Sequence, residues 1–254
     1  MAAETLLIHV LGCERATLYA HPERELSPEQ WSQFHSAVEE RATGKPLQYI
    51  TGHQEFYGLD FKVTPAVLIP RPETEHLVEA AIEKARAFEL PRIVDVGTGS
   101  GCIAIAIAHA LPNAEVTAVD ISAAALEVAR ENVTRLGVKV RVLESDLLEA
   151  VNGEQFDLVV SNPPYVGRCE ADKVQREVRE HEPAVAVFAG EQGLDVYRRL
   201  IPQSHEVLVD GGWLLMEIGY SIEQPVRELL RGWQEVSSIA DLQGIARVVV
   251  ARRG

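Results

Sequence analysis

The alternation of apolar and polar positions changes period near Pro91. Ahead of it, apolar residues recur at helical spacing: Leu6, Leu7, Val10 and Leu11 in one stretch, then Trp31, Phe34 and Val38 on one face of a second. Ser27-Pro28-Glu29-Gln30 predicts the start of that second helix, with Ser27 as cap, Pro28 in the first turn and Gln30 completing a capping box. Gly44 predicts its left-handed stop. The stretch from Gln48 to Val63 predicts a β-hairpin around Gly58. Leu68-Ile69-Pro70-Arg71-Pro72-Glu73-Thr74-Glu75 then reads as a proline-stiffened entry into a helix carrying Leu77, Val78, Ala81, Ile82 and Ala85. From Pro91 onward, short apolar runs alternate with helical stretches. Strands are predicted at 92–96, 115–120, 138–143, 156–161 and 212–218, helices at 102–110, 122–135, 194–208 and 222–230, with a polar excursion over 166–190 and two closing strands near 236–239 and 246–251. That alternation predicts an α/β fold with a mostly parallel sheet covered by helices on both faces. The division expected is a helical unit at 1–46, a hairpin linker at 47–66 and an α/β domain at 67–254.

Two loops of that domain carry chemistry. Asp95-Val96-Gly97-Thr98-Gly99-Ser100-Gly101 joins the first strand to its helix, where glycines allow a tight turn and close approach of a ligand. Asp120, at the end of the next strand, is placed to accept from ribose hydroxyls. Any nucleoside-containing cofactor satisfies this pattern so far. Gly101 falls one position short of the dinucleotide fingerprint, however, and a loop without a pyrophosphate to cradle matches S-adenosyl-L-methionine better than NAD. Asp146, after the third strand, can reach an adenine amine, with Leu147 packing on the ring; an ordinary helix cap has the same appearance. The second loop is Ser161-Asn162-Pro163-Pro164-Tyr165. Its prolines end the strand and stiffen the loop. The Asn162 side-chain oxygen and the Pro163 carbonyl offer two acceptors for a planar –NH2 group, and Tyr165 can lie against its plane. In isolation, Asn-Pro-Pro is equally a plain strand-closing turn.

Composition narrows the setting. A formal charge of −14 over 254 residues argues against a surface built for non-specific nucleic-acid binding and suits a basic protein partner. Three cysteines and eight histidines show no ligand spacing, so neither a metal nor a disulfide framework is expected. The N-terminus carries no secretory pattern and no run is long enough for a membrane span, which leads to the expectation of a cytoplasmic protein.

The chain resembles the HemK/PrmC-type methyltransferases, which modify the glutamine of the Gly-Gly-Gln (GGQ) motif in class-I peptide chain release factors. The likeness runs from about Thr5 to the C-terminus. It rests on LYAHPE at 18–23, QYITGHQEFYGLDFKVTP at 48–65, LIPRPETE at 68–75, DVGTGSG at 95–101, VD at 119–120 and SNPPY at 161–165. The blocks ahead of Asp95 are its specific part. The resemblance implies a seven-stranded Rossmann-like methyltransferase sheet and a small helical N-terminal domain, joined by a β-hairpin. It implies S-adenosyl-L-methionine as cofactor, S-adenosyl-L-homocysteine as product, and no metal. Gly97, Thr98, Gly99, Ser100, Gly101, Asp120 and Asn162 would contact the cofactor, and Asn162, Pro163, Pro164 and Tyr165 the glutamine. The expected partner is a class-I release factor presenting its GGQ loop, with no direct nucleic acid and no membrane, and the outcome is a modulation of translation termination. Family members usually carry another helix ahead of the segment matching Thr5, and many have an aromatic where Leu147 stands.

The reaction expected is in-line displacement by the glutamine amide nitrogen. Its lone pair is delocalised, so acceptors that favour a pyramidal, partly positive nitrogen stabilise the transition state selectively. The rival enzyme reading, methylation of an adenine amine in nucleic acid, uses the same Asn-Pro-Pro-Tyr geometry but finds few basic clusters here. A methyl-donor-binding scaffold without turnover is disfavoured because both motif sets are intact.

Overall fold

In a computed structural model, which describes residues 2–254, four helices open the chain: α1 (Ala2–Leu11), α2 (Arg15–Ala20), α3 (Pro28–Ala42) and the short α4 (Leu47–Thr51). The capping box forms as expected, with Ser27 Oγ accepting from the Gln30 N–H at 3.2 Å and the Gln30 side chain accepting from the Ser27 N–H at 3.1 Å. Gly44, at φ +99°, follows the helix in the left-handed region. On α3, Ala37 is buried and Phe34 half-buried, whereas Trp31 is 57% and Val38 38% exposed. Periodicity located a stripe but not the side on which α1 lies. Residues 48–51, expected within the hairpin, are helical because Gly52 (φ +79°) closes a turn by donating to the Gln48 carbonyl at 2.8 Å.

The hairpin is β1 (His53–Phe56) and β2 (Leu59–Lys62), paired antiparallel. Tyr57 and Gly58 both have positive φ, the requirement of a two-residue type I′ turn. Glu75 and Glu55 hold that turn by accepting from the Tyr57 and Gly58 N–H groups at 2.9 and 2.7 Å. Phe56 and Phe61 are buried edge to face, 6.1 Å apart.

The remaining elements are α5 (Glu75–Ala85), β3 (Arg92–Val96), α6 (Cys102–Ala110), β4 (Glu115–Asp120), α7 (Ala123–Leu136), β5 (Val140–Glu144), β6 (Phe156–Ser161), α8 (Arg176–His181), α9 (Ala184–Val187), α10 (Asp195–Val207), β7 (Leu208–Glu217), α11 (Glu223–Leu229), β8 (Gln234–Ala240) and β9 (Ala246–Arg252). The polar excursion at 166–190 is thus partly helical. Seven strands form one sheet in the order β5-β4-β3-β6-β7-β9-β8, parallel from β5 to β7, with β9 and β8 added antiparallel. Apolar residues of α5 and α6 cover one face, with Phe56 and Phe61 of the hairpin, and α10 and α11 cover the other. Strands buried on both sides read as near-continuous apolar runs, which is how they were found.

The order reverses between β3 and β6, and open α/β sheets bind ligands at that point, outside the carboxyl ends of the strands. Register fixes what meets there. Val96 pairs with Ser161 and Ser161 with Met216, so the next residues along, Gly97 and Asn162 just past their strands and Glu217 at the end of β7, lie side by side. Asn132 of α7 adds a cross-tie. Its buried amide bonds the Lys62 backbone N–H and carbonyl at 2.8 and 3.0 Å and the Ser100 carbonyl at 2.9 Å, fixing the hairpin to the glycine loop.

Candidate active site

The glycine loop sits between β3 and α6. Gly97, Gly99 and Gly101 all take positive φ, at +72°, +55° and +83°. A Cβ at Gly101 would lie 3.0 Å from Ile105 Cδ1, so that glycine serves helix packing. At Gly97 and Gly99 a Cβ would meet nothing within 4 Å, so these two border open space where a ligand can approach the backbone. Thr98 and Ser100 between them are buried. Asp120, at the end of β4, steadies the loop: Oδ2 accepts from the Gly99 N–H and Oδ1 from the Ser122 N–H, both at 2.9 Å. Burial raises the pKa of its carboxyl, while those bonds pull the other way. Asp95 is fully buried. Its Oδ2 accepts from the Thr98 hydroxyl at 2.6 Å and the Ala104 N–H at 3.2 Å, Oδ1 has no partner, and burial pushes its carboxyl up to about 7.

Three adjoining clefts meet here. One runs along the glycine loop and is walled by the 66–74 segment and by Asp120 and Asn162. A second, with a volume of about 190 Å³, extends from Gly97 and Asp120 to Asp146, Leu147, Pro163 and Pro164. The third is lined by Asn162, Tyr165, Arg71, Leu68 and Glu217, with Val178 and Val187 of the 166–190 segment opposite. The Asn-Pro-Pro-Tyr loop is therefore a partition. Its prolines face the second cleft, Tyr165 the third, and Asn162 touches both the first and the third.

Asp146 and Leu147 are brought to the second cleft, as expected from sequence. Leu147 is held there at φ +52°, and Asp146 is paired with Arg199 of α10 at 2.8 Å, a partner the sequence did not suggest. Asn162 Nδ2 donates to Thr74 Oγ1 at 3.2 Å. The Tyr165 ring lies on Gly219, where a Cβ would come within 2.7 Å of Cδ2, and burial together with the Glu217 carboxyl pushes its hydroxyl up to about 12.

Four further residues of the site were missed in the sequence. Thr74 is buried against Asn162. Glu217 is 3% exposed at the wall of the third cleft, and burial pushes its carboxyl up to about 7. Arg71, given no role by its place between two prolines, pairs with the buried Glu182, whose other oxygen accepts from the Ile69 N–H at 3.2 Å. This pair closes the 166–190 segment over the third cleft. Among the described residues no His, Cys, Asp and Glu gather as a metal site, and no helix is long and apolar enough to cross a membrane.

A parallel sheet with an antiparallel edge, a glycine loop opening on its switch point and an acid closing the next strand together define an S-adenosylmethionine-dependent methyltransferase. The open backbone at Gly97 and Gly99, with the Asp120 carboxylate beside them, fits such a donor. Among solved structures, a Pyrococcus furiosus methyltransferase aligns at a TM-score of 0.58 and 19% identity, covering 86% of this chain and 99% of that one. The 16S rRNA N2 G1207 methyltransferase of Thermus thermophilus, in complex with AdoMet and guanosine, aligns at 0.57 and 20%, covering 80% and 50%. Both likenesses carry the fold alone. Two family models match, the PrmC N-terminal domain over residues 1–52 and the methyltransferase small domain over residues 74–182. The release factor glutamine methyltransferase of Koribacter versatilis is 56% identical over 254 residues, covering all of this chain and 91% of its own length. That of Geobacter sulfurreducens is 43% identical over 256 residues, covering 100% and 89%. The chain belongs to the release factor glutamine methyltransferase family.

Proposed function

We propose that the chain transfers a methyl group from S-adenosylmethionine to the side-chain amide nitrogen (N5) of the glutamine in the GGQ motif of class-I peptide chain release factors. The observation that carries this reading is the partition: one loop presents Asn162 and Tyr165 to the third cleft, backs with its prolines onto the cleft that runs from Gly97 and Asp120 to Asp146, and touches the glycine-loop cleft through Asn162. When bound, the donor supplies an electrophilic sulfonium methyl and leaves as S-adenosylhomocysteine. Gly97–Gly101 and Asp120 hold it, with Asp146 and Leu147 at its adenine end. Asn162 Oδ1 and the Pro163 carbonyl accept the two amide hydrogens of the glutamine, and Tyr165 and Pro164 bound its plane. These acceptors stabilise the nitrogen as it becomes tetrahedral and partly positive, an interaction stronger in the transition state than in the ground state. Holding nitrogen and methyl in line supplies the rest. As the N–C bond forms and the S–C bond breaks, the nitrogen becomes strongly acidic and gives its proton to water.

Every protein offers glutamines, so discrimination requires more than an amide pocket. The glycines of the motif let its backbone enter the narrow cleft, and a second contact lies on the helical unit. We assign docking to the unit at 1–46, where Trp31 and Val38 of α3 stand exposed with Tyr19. The segment at 47–66, which holds α4 and the hairpin, links it to the catalytic domain at 67–254. The net charge of −14 favours a basic partner.

The test is mass spectrometry after incubating the protein and S-adenosylmethionine with a release factor, a short GGQ peptide or nucleic acid. The expected result is one methyl on the factor's glutamine, far slower labelling of the peptide, and unmodified nucleic acid. Asn162→Ala should lose on the order of a hundred- to a thousand-fold in turnover, by analogy with removal of one oxyanion-hole donor. Equal rates for factor and peptide would remove the second contact. Labelled adenine with an unmodified factor would replace the assignment.

A further inference from the structure

Asn162 is useful to the proposed reaction only with its oxygen turned to the substrate. The two arms of a carboxamide are nearly isosteric, so its orientation is decided by what its inner arm meets. Here Nδ2 is the inner arm and donates to Thr74 Oγ1 at 3.2 Å, which leaves Oδ1 on the outer side. A threonine hydroxyl alone does not enforce this, because it donates as readily as it accepts. The constraint comes from the next group inward. The Glu217 carboxyl, which ends β7 beside Asn162 at the wall of the third cleft, faces both side chains, and each favours its ionised form. An ionised carboxylate only accepts. It takes the Thr74 proton, leaves Thr74 Oγ1 as an acceptor, and so admits only the nitrogen arm of Asn162.

We propose that Glu217, acting through Thr74, is a positioning residue that locks the Asn162 carboxamide with its oxygen toward the substrate nitrogen. The inference rests on the glutamine-methylation reading of this site. Two independent observations support it. Glu217 is 3% exposed and its Oε2 has no partner, although burying a carboxylate for stability alone is unfavourable. It also sits at the wall of the third cleft rather than in the body of the core. A role as general base is unnecessary, since a methylated amide nitrogen sheds its proton to water unaided.

The lock is pH-sensitive. A protonated Glu217 can donate to Thr74 Oγ1, which frees the threonine proton for Asn162 Oδ1 and allows the carboxamide to turn over. The groups facing Glu217 are Glu73 from the turn before α5, Arg247 from β9, Tyr165 from the catalytic loop, Tyr197 from α10 and Cys102 from α6. Arg247 is engaged by Asp241 at 2.8 Å, and the two tyrosine hydroxyls and the thiol stay neutral near pH 7 because burial raises them all. Glu217 is thus the group among them whose charge changes near neutrality.

The experiment measures kcat and KM for release factor methylation from pH 5.5 to 9 with wild type, Glu217→Gln, Thr74→Val and Thr74→Ser, and S-adenosylhomocysteine affinity by calorimetry. Wild type should gain activity with a midpoint near 7. Glu217→Gln should lose about tenfold or more in kcat at pH 8, keep its S-adenosylhomocysteine affinity within about twofold, and lose the rising limb. Thr74→Val should fall likewise, with Thr74→Ser recovering most of the loss. If Glu217→Gln does not fold, the Thr74 pair decides. Wild-type kcat in Glu217→Gln, an unchanged limb, or a Thr74→Ser as slow as Thr74→Val would overturn the proposal. A wild-type protein inactive on the factor at every pH would instead overturn the glutamine-methylation reading.

Discussion

Replacing Asp120 by alanine has two consequences that the structure allows to be separated. The carboxylate borders both the glycine-loop cleft and the cleft that runs to Asp146, so on the proposed reading its loss removes a charged acceptor from the donor's ribose. Hydrogen bonds to a charged group contribute about 1.5–3 kcal/mol, which corresponds to a ten- to hundred-fold loss of affinity. The same substitution strands the Gly99 and Ser122 N–H groups, each held at 2.9 Å. Gly99 borders open space, so water can satisfy its N–H, and the cost to folding stays near about 1 kcal/mol. For a chain of this size that lowers Tm by roughly 2–4 °C. Calorimetric titration with S-adenosylhomocysteine reads the first effect, and a thermal melt without ligand reads the second. A binding constant within about twofold of wild type, with the melt lowered, would mean that Asp120 serves only the loop.

Two other perturbations test the surroundings of the site. Arg71→Ala leaves the carboxyl of Glu182, whose side chain is 1% exposed, without its cation. A fully buried broken pair costs about 3–5 kcal/mol; Arg71 is one-third exposed, so water enters and the loss should be about 1–3 kcal/mol. Faster hydrogen exchange across 166–190 and a higher KM for the release factor should accompany it, and unchanged exchange there would show that the pair does not hold the segment. The second perturbation is pH. Asp95 and Glu217 both have carboxyls raised by burial to about 7, from 3.8 and 4.5. Between those limits the folded chain binds protons that the unfolded chain has released, so stability is fully present below about pH 4 and is lost as pH rises to 7. At about 1.4 kcal/mol per pH unit, the loss is on the order of 3–5 kcal/mol per group, the larger for Asp95. The Tm of the ligand-free protein should therefore fall from pH 5 to 7.5, and fall less in Glu217→Gln; a flat or rising Tm over that window would contradict the burial argument.

What the sequence disclosed and what it withheld follow from range. The glycine loop, the capping box and the Asn162–Tyr165 loop are local devices, each written within a few neighbouring residues; the capping box forms as read, the loop glycines take positive φ, and β6 stops at Ser161 ahead of the prolines. The side of α3 that meets α1 was not legible, because a stripe at helical spacing does not state which way it faces, and Ala37, too small to register as a signal, is the residue buried there. Arg71 and Glu182 are 111 residues apart, and no local pattern joins them. Glu217 had a weak signal. It ends the apolar run Leu214-Leu215-Met216 as Asp95 nearly ends β3 and Asp120 ends β4, an acid at the carboxyl edge of a parallel strand. The pairing of β6 with β7 was needed to show that this acid lies beside Asn162.

The strap from Ala66 to Thr74 explains how so loosely related a set of parts is held in register. Near its start, the Val67 carbonyl accepts from the Tyr49 hydroxyl at 2.6 Å and so is tied to α4. Its middle is tied to the 166–190 segment through Ile69, Arg71 and Glu182. Its end is tied to the catalytic loop through Thr74 and Asn162. Pro70 and Pro72 remove backbone freedom from the strap as Pro163 and Pro164 remove it from the loop. Two stiffened segments therefore meet at one hydrogen bond. Stiffening lowers the entropy that must be lost to bring an acceptor and a reacting nitrogen into line, and it does so in the free protein rather than at the moment of reaction. On the proposed reaction, this is how a site with so little chemistry of its own would orient a weak nucleophile.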